Sequence, residues 1–163
     1  MRLPLAITVN GKSHELSIDT RLTLVNLLRE ELGLTGSHVG CATGNCGACT
    51  VMLDGKTVKS CSVLAADVAG SEILTIEGLS TGVGDLHPVQ RAFADNQGLQ
   101  CGFCTPGMVL STLQLLEDNP RPTEAEVRHA IAGNLCRCTG YQFIVTSILA
   151  AADSLSAEPQ RPG

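Results

Sequence analysis

The period of the apolar positions changes near residue 80 and divides the chain into two parts. In the first part, the β-prone runs Ala6-Ile7-Thr8-Val9 and His14-Glu15-Leu16-Ser17-Ile18 flank Asn10-Gly11, which predicts a hairpin closed by a type I′ turn. Leu24, Leu27, Leu28 and Leu32 then recur at helical spacing, with Gly33 as the expected stop. A second hairpin is predicted over Thr50-Val51-Met52-Leu53, Asp54-Gly55 and Lys56-Thr57-Val58-Lys59, and a further strand over Glu72 to Ile76. Between the helix and this hairpin lies a loop carrying Gly36, Gly40, Gly44 and Gly47.

Residues 78–85 are rich in Gly, Ser and Thr and read as a linker, after which every periodic segment is helical. His87-Pro88 opens one helix with Val89, Ala92 and Phe93 on its inner face. Thr105 is an expected N-cap followed by Pro106 at the first helical position, with Val109, Leu110, Leu113 and Leu116 as the apolar stripe. Thr123 with Glu126 forms a capping box before Val127, Ala130 and Ile131. Thr139 with Gln142 forms another before Ile144, Ile148 and Ala152, and fraying is expected from Ser154 onward. The expected fold class is α+β, with a β-rich domain over residues 1–79, a four-helix domain over 80–155 and a flexible tail over 156–163.

Composition sharpens this in three ways. With 44% hydrophobic against 17% charged residues, a packed core is available; with only 2% aromatic residues, that core must rest on Leu, Val, Ile and Ala. A formal charge of −5 and the lack of a basic stripe argue against a nucleic-acid partner. Met1-Arg2-Leu3-Pro4 is not followed by a signal-peptide pattern, and no apolar run has the length of a membrane span, so a cytoplasmic chain with reduced thiols is expected.

The eight cysteines carry the candidate chemistry. Cys41, Cys46, Cys49 and Cys61 read C-x4-C-x2-C plus one distant Cys, the plant-type spacing for a [2Fe–2S] cluster. Cys101, Cys104, Cys136 and Cys138 form a second quartet, C-x2-C and C-x-C, whose spacing alone leaves zinc and iron–sulfur both open. Disulfides are disfavoured by the compartment. If Asp54-Gly55 is the hairpin turn, Leu53 pairs with Lys56 and Cys49 with Ser60, which delivers Cys61 to the side of Cys49. The loop glycines permit positive φ and close backbone approach to a cluster. Each half of the second quartet precedes a predicted helix start, whose unpaired N–H groups and partial positive charge suit an anionic centre. The four histidines, His14, His38, His87 and His129, are scattered and read as solvated or capping residues; no general acid, base or nucleophile stands out.

Three segments carry a family resemblance: Gly40-Cys41-Ala42-Thr43-Gly44-Asn45-Cys46-Gly47-Ala48-Cys49-Thr50-Val51, Gln100-Cys101-Gly102-Phe103-Cys104-Thr105-Pro106-Gly107-Met108 and Asn134-Leu135-Cys136-Arg137-Cys138-Thr139-Gly140-Tyr141. The chain resembles the iron–sulfur subunit of the molybdenum hydroxylases, the family of xanthine dehydrogenase, aldehyde oxidoreductase and aerobic carbon monoxide dehydrogenase. The resemblance implies a ferredoxin-like β-grasp domain over 1–79, a four-helix domain over 80–155, and one [2Fe–2S] cluster in each. It implies a large partner subunit with a molybdenum–pterin cofactor of the cytosine dinucleotide type, a medium subunit with FAD, and a hetero-oligomer such as a dimer of heterotrimers. The cluster on Cys101, Cys104, Cys136 and Cys138 would face the pterin, with Gln100 and Cys138 contacting that cofactor; the cluster on Cys41, Cys46, Cys49 and Cys61 would pass electrons to flavin or another acceptor. Substrate chemistry would belong to the large subunit, and carbon monoxide, purines, N-heterocycles and aldehydes all occur as substrates in the family. A free-standing two-cluster ferredoxin and a zinc-stabilised interaction module are the alternatives.

Overall fold

The computed structural model describes residues 1–80, 82 and 84–157. Strands β1 (Arg2–Val9) and β2 (Lys12–Asp19) form the first hairpin, and the Asn10-Gly11 turn has φ of 51° and 74°, the positive pair that a type I′ turn requires. Strands β3 (Thr50–Leu53) and β4 (Lys56–Lys59) form the second, around Asp54-Gly55 with φ of 48° and 78°. Strand β5 (Glu72–Leu74) runs parallel to β1 and antiparallel to β3, joining the hairpins into one sheet of order β2-β1-β5-β3-β4.

Period-2 burial along β1 turns Leu5, Ile7 and Val9 inward while Pro4 and Ala6 face solvent. Opposite them sits α1 (Leu24–Asn26), continued as a π-helix over Leu27–Glu31, with Leu24, Leu27 and Leu28 fully buried. Ile18, Val51 and Ile73 complete this core. The apolar stripe therefore lies where its spacing predicts, but the helix widens in its second half, where the Leu32 N–H donates to the Leu27 carbonyl at 3.1 Å.

The second part packs α2 (Pro88–Asp95), α3 (Thr105–Asp118), α4 (Glu124–Ala130) and α5 (Tyr141–Ala157) around Phe93, Met108, Val109, Val127, Ile144 and Ile148. Both capping residues on α2 and α4 act as their sequences suggest. His87 Nδ1 accepts from the Val89 N–H at 3.2 Å, and Thr123 Oγ1 accepts from the Glu126 N–H at 3.4 Å. No helix among the described residues is long and apolar enough to cross a membrane.

The structure corrects several local expectations. Cys104 occupies the cap position before α3, so Thr105 is the first helical residue and not the cap. Thr139 does not cap α5: its φ is 60°, its N–H donates to the Cys136 carbonyl at 3.3 Å, and the first helical bond runs from Ile144 N–H to the Gly140 carbonyl. The segment holding Cys136 and Cys138 turns too tightly for Thr139 to adopt the extended backbone of a cap. At the other end α5 remains helical through Ala157, past the Ser154 at which fraying is expected; residues 158–163 of the expected tail lie outside the described residues. Strand β5 stops at Leu74 and a 3₁₀ turn over Ile76–Leu79 follows, and of the linker 78–85 Thr81 and Val83 lie outside the described residues.

Candidate functional site

The first quartet is built by a loop and a hairpin. Between α1 and β3, Ala42 at φ 55°, Gly44 at φ 76° and Gly47 at φ 74° coil the backbone so that N–H groups turn inward. The Thr43 and Cys46 N–H groups donate to Cys41 Sγ at 3.4 and 3.3 Å. The Thr43 side chain first, then the Cys46 and Thr43 N–H groups, draw the Cys41 thiol down to about 6, favouring its thiolate form. Gly36 and Gly40 do not take positive φ; their lack of a side chain serves close approach. A Cβ on Gly40 would stand 2.9 Å from Cys46 Sγ, and one on Gly36 would collide with Ile76 Cγ2.

The hairpin delivers the fourth cysteine as its register requires. Leu53 pairs with Lys56, and beyond β4 the Ser60 N–H and Oγ both donate to the Cys49 carbonyl, at 3.3 and 2.6 Å. Cys61 thereby lies against Cys49, whose thiol is pushed up by burial. Gly55 sits in open space, so only its φ of 78° resists substitution. Gly55→Val is expected to cost about 1–2 kcal/mol from left-handed strain on an L-residue and to reduce iron retained at the first site. Thermal unfolding with iron assay checks this, and full iron retention would argue against the hairpin as the carrier of Cys61.

The second quartet gathers at two turns. Cys101, exposed, pairs with half-buried Cys138, while Cys104 and Cys136 pair in the interior. The Phe103 N–H draws the Cys101 thiol down, and burial, reinforced by Cys136, pushes Cys104 up to about 12. Tyr141 Oη accepts from the Cys136 N–H at 2.8 Å and ties that turn to the start of α5. Gln100 is exposed on the rim of the cleft that Cys101, Cys104, Cys136 and Cys138 line; Gly140 leaves it room, since a Cβ there would stand 3.3 Å from Gln100 Nε2.

The thiols thus meet two by two: Cys41 with Cys46, Cys49 with Cys61, Cys101 with Cys138 and Cys104 with Cys136. Two thiolates per iron is the arrangement of a [2Fe–2S] cluster, whereas one tetrahedral zinc draws four thiolates to a single point. The pairs, the N–H donors aimed at Cys41 and the absence of room for a Cβ beside Cys46 all fit such a cluster.

Between the two sites lies a seam that periodicity could not reveal. The Leu135 N–H donates to the Cys46 carbonyl at 2.8 Å. Asn134, buried, donates through Nδ2 to the Gly47 carbonyl at 3.2 Å and accepts from Ser111 Oγ at 3.0 Å. His38 stays partly exposed but does not cap a helix: its ring stacks on Phe103 at 4.5 Å, and Nδ1 lies 2.8 Å from the Phe103 carbonyl. The one available signal was position, since His38, Phe103, Asn134 and Leu135 each stand within three residues of a cysteine in the sequence.

Known proteins share this arrangement. A family model described as "2Fe-2S iron-sulfur cluster binding domain" matches residues 7–75, and one described as "[2Fe-2S] binding domain" matches residues 75–149. The nicotine 6-hydroxylase small subunit of Paenarthrobacter nicotinovorans is 49% identical over 150 residues, covering 92% of this chain and 90% of that protein. The xanthine dehydrogenase iron-sulfur-binding subunit of Escherichia coli O157:H7 is 47% identical over 144 residues, covering 87% of this chain and 89% of that one. Among solved structures, quinoline 2-oxidoreductase from Pseudomonas putida 86 aligns with a TM-score of 0.91 at 42% identity, over 95% of this chain and 96% of that chain.

Proposed function

The chain belongs to the iron–sulfur small-subunit family of the molybdenum hydroxylases, and from that premise we propose how its residues divide the work. It is an electron-transfer subunit of a multi-subunit oxidoreductase and carries two [2Fe–2S] clusters; relatives that are themselves subunits disfavour a free-standing ferredoxin. In our reading Cys41, Cys46, Cys49 and Cys61 hold one cluster and Cys101, Cys104, Cys136 and Cys138 the other. When bound, the clusters supply one-electron storage. The chain's own residues hold, space and connect them.

A single observation carries the direct relay between the two sites. Cys46 and Leu135 share a 2.8 Å backbone hydrogen bond, and Leu135 is bonded to Cys136. A ligand of the first site is therefore joined to a ligand of the second by covalent bonds and one hydrogen bond. Cys101 and Cys138 lie toward solvent at the far end of this line, with Gln100 beside them. We place the molybdenum–pterin cofactor of a large subunit there, contacted by Gln100 and Cys138, and FAD of a medium subunit beyond the first quartet. A cytoplasmic hetero-oligomer suits eight ligand thiols that must stay reduced before they bind iron.

Elemental analysis of the complex that co-purifies with the chain tests this. About four iron per chain, as two [2Fe–2S] clusters require, is expected together with molybdenum near parity. Iron without molybdenum would restore the lone ferredoxin, and zinc in place of iron would overturn the cluster assignment.

A further inference from the structure

Lys59 is a half-buried cation that no carboxylate pairs among the described residues. It closes β4, directly opposite Thr50 in the hairpin register, one pair before the level at which Ser60 meets Cys49. Its Nζ donates to Thr50 Oγ1 at 3.1 Å. Thr50 is fully buried and passes its own hydroxyl proton to the Gly47 carbonyl at 2.7 Å, so the anchor is rigid. Gly133 lies on another side of the ammonium; a Cβ there would stand 3.5 Å from Nζ. None of the ion pairs among the described residues includes Lys59.

An ammonium withdrawn from water is costly unless an anion compensates it. The hairpin register sets this charge beside the first quartet: Lys59 faces Thr50, the neighbour of Cys49, and precedes Cys61 by two residues. The missing anion is supplied if the first quartet holds an iron–sulfur centre. Four thiolates and two sulfides around two ferric ions leave about two negative charges, and about three after one electron is added.

We propose that Lys59 is an electrostatic positioning residue for electron transfer, whose charge raises the reduction potential of the cluster at Cys41, Cys46, Cys49 and Cys61 relative to that at Cys101, Cys104, Cys136 and Cys138. The inference rests on the two-cluster reading above. One electron leaves the helical-domain centre, which is oxidised, and the same electron reduces the ferredoxin-like centre, with no proton moved. Lys59 stabilises the added charge at the receiving end and holds the relay in one direction.

The test is an EPR-monitored redox titration of the intact complex carrying Lys59→Gln or Lys59→Arg, with the two signals assigned by Cys61→Ser and Cys138→Ser. In Lys59→Gln the electron partition between clusters is expected to shift about tenfold toward the helical domain, 59 mV for a one-electron couple. The second midpoint should hold, and Lys59→Arg should restore most of the first. An unmoved first midpoint, or equal movement of both, overturns the proposal. If Lys59→Gln fails to assemble, Thr50→Val keeps the lysine but removes its anchor. It is expected to lower the same midpoint by a smaller factor, and an unmoved value there is equally fatal. Absence of any [2Fe–2S] signal in the unaltered complex would instead defeat the cluster reading itself.

Discussion

Cys138→Ser is expected to remove or strongly alter one of the two iron–sulfur signals, leave the other intact, and cut turnover of the complex more than tenfold. Cys138 is the exposed-side partner of Cys101, and the pair forms the solvent-facing half of the second site. A serine hydroxyl at this position is neutral at ordinary pH and a poor match for ferric iron, which is held by thiolate. Even outer partners of metal ligands cost about 10–100-fold when lost, so the loss of a direct ligand sets a lower bound. Iron should fall from about four toward about two per chain, as one [2Fe–2S] cluster of two is lost. The interior pair, Cys104 and Cys136, keeps its packing around Met108 and Ile144, so folding of the helical domain should survive. Reduced-state EPR, iron assay and steady-state turnover check the three parts separately. Unchanged spectra with unchanged turnover would remove Cys138 from the site.

The second large effect is one that helix propensity alone would assign the wrong sign. Gly107 lies in the first turn of α3, where Ala is intrinsically better by about 1 kcal/mol. In the folded chain a Cβ on Gly107 would collide with the Gly47 carbonyl oxygen, and one on Gly47 would collide with the Gly133 carbonyl oxygen. Three backbone segments meet at this point with the Asn134 amide beside them, and they come from both domains. Gly107→Ala is therefore expected to destabilise, by about 1–3 kcal/mol for overpacking a close contact. A shift of about 2–4 °C in the unfolding midpoint per kcal/mol applies to a chain of this size. Because Asn134 and the Cys46–Leu135 bond share the same seam, interdomain electron transfer should slow as well. Gly82→Ala, which meets nothing within 4 Å and has no positive φ, is the matched control and should leave the midpoint in place. Equal midpoints for the two variants would show that the domains do not depend on this contact.

Much of the architecture was legible because local rules and tertiary structure agree. Asn10-Gly11 and Asp54-Gly55 each favour one turn type, so both hairpins and their registers follow from the residues at the turn. That register in turn carries Cys61 to Cys49, a long-range contact decided by a two-residue signal. The capping box at Thr123 is equally local. Where neighbours in space intervene, local rules gave way. Thr139 and Gln142 have the types of a capping box, yet the turn that presents Cys138 drives Thr139 to positive φ. Four loop glycines read alike in sequence, but Gly44 and Gly47 take positive φ while Gly36, Gly40 and again Gly47 give clearance, a distinction that depends on which atoms lie opposite.

The sequence by itself determined the two cysteine quartets, the hairpins, the helical second half and the family resemblance, because each rests on spacing within one segment or on residue types at a turn. Only the tertiary structure decided the seam: the Cys46–Leu135 bond, the burial of Asn134, the stacking of His38 on Phe103 and the anchoring of Lys59 on Thr50. These contacts join residues up to 89 positions apart, and nothing in the spacing of either segment records which face of the other it will meet. Packing of the helical domain on the ferredoxin-like one fixes that relation, and with it how the two cysteine quartets stand to one another.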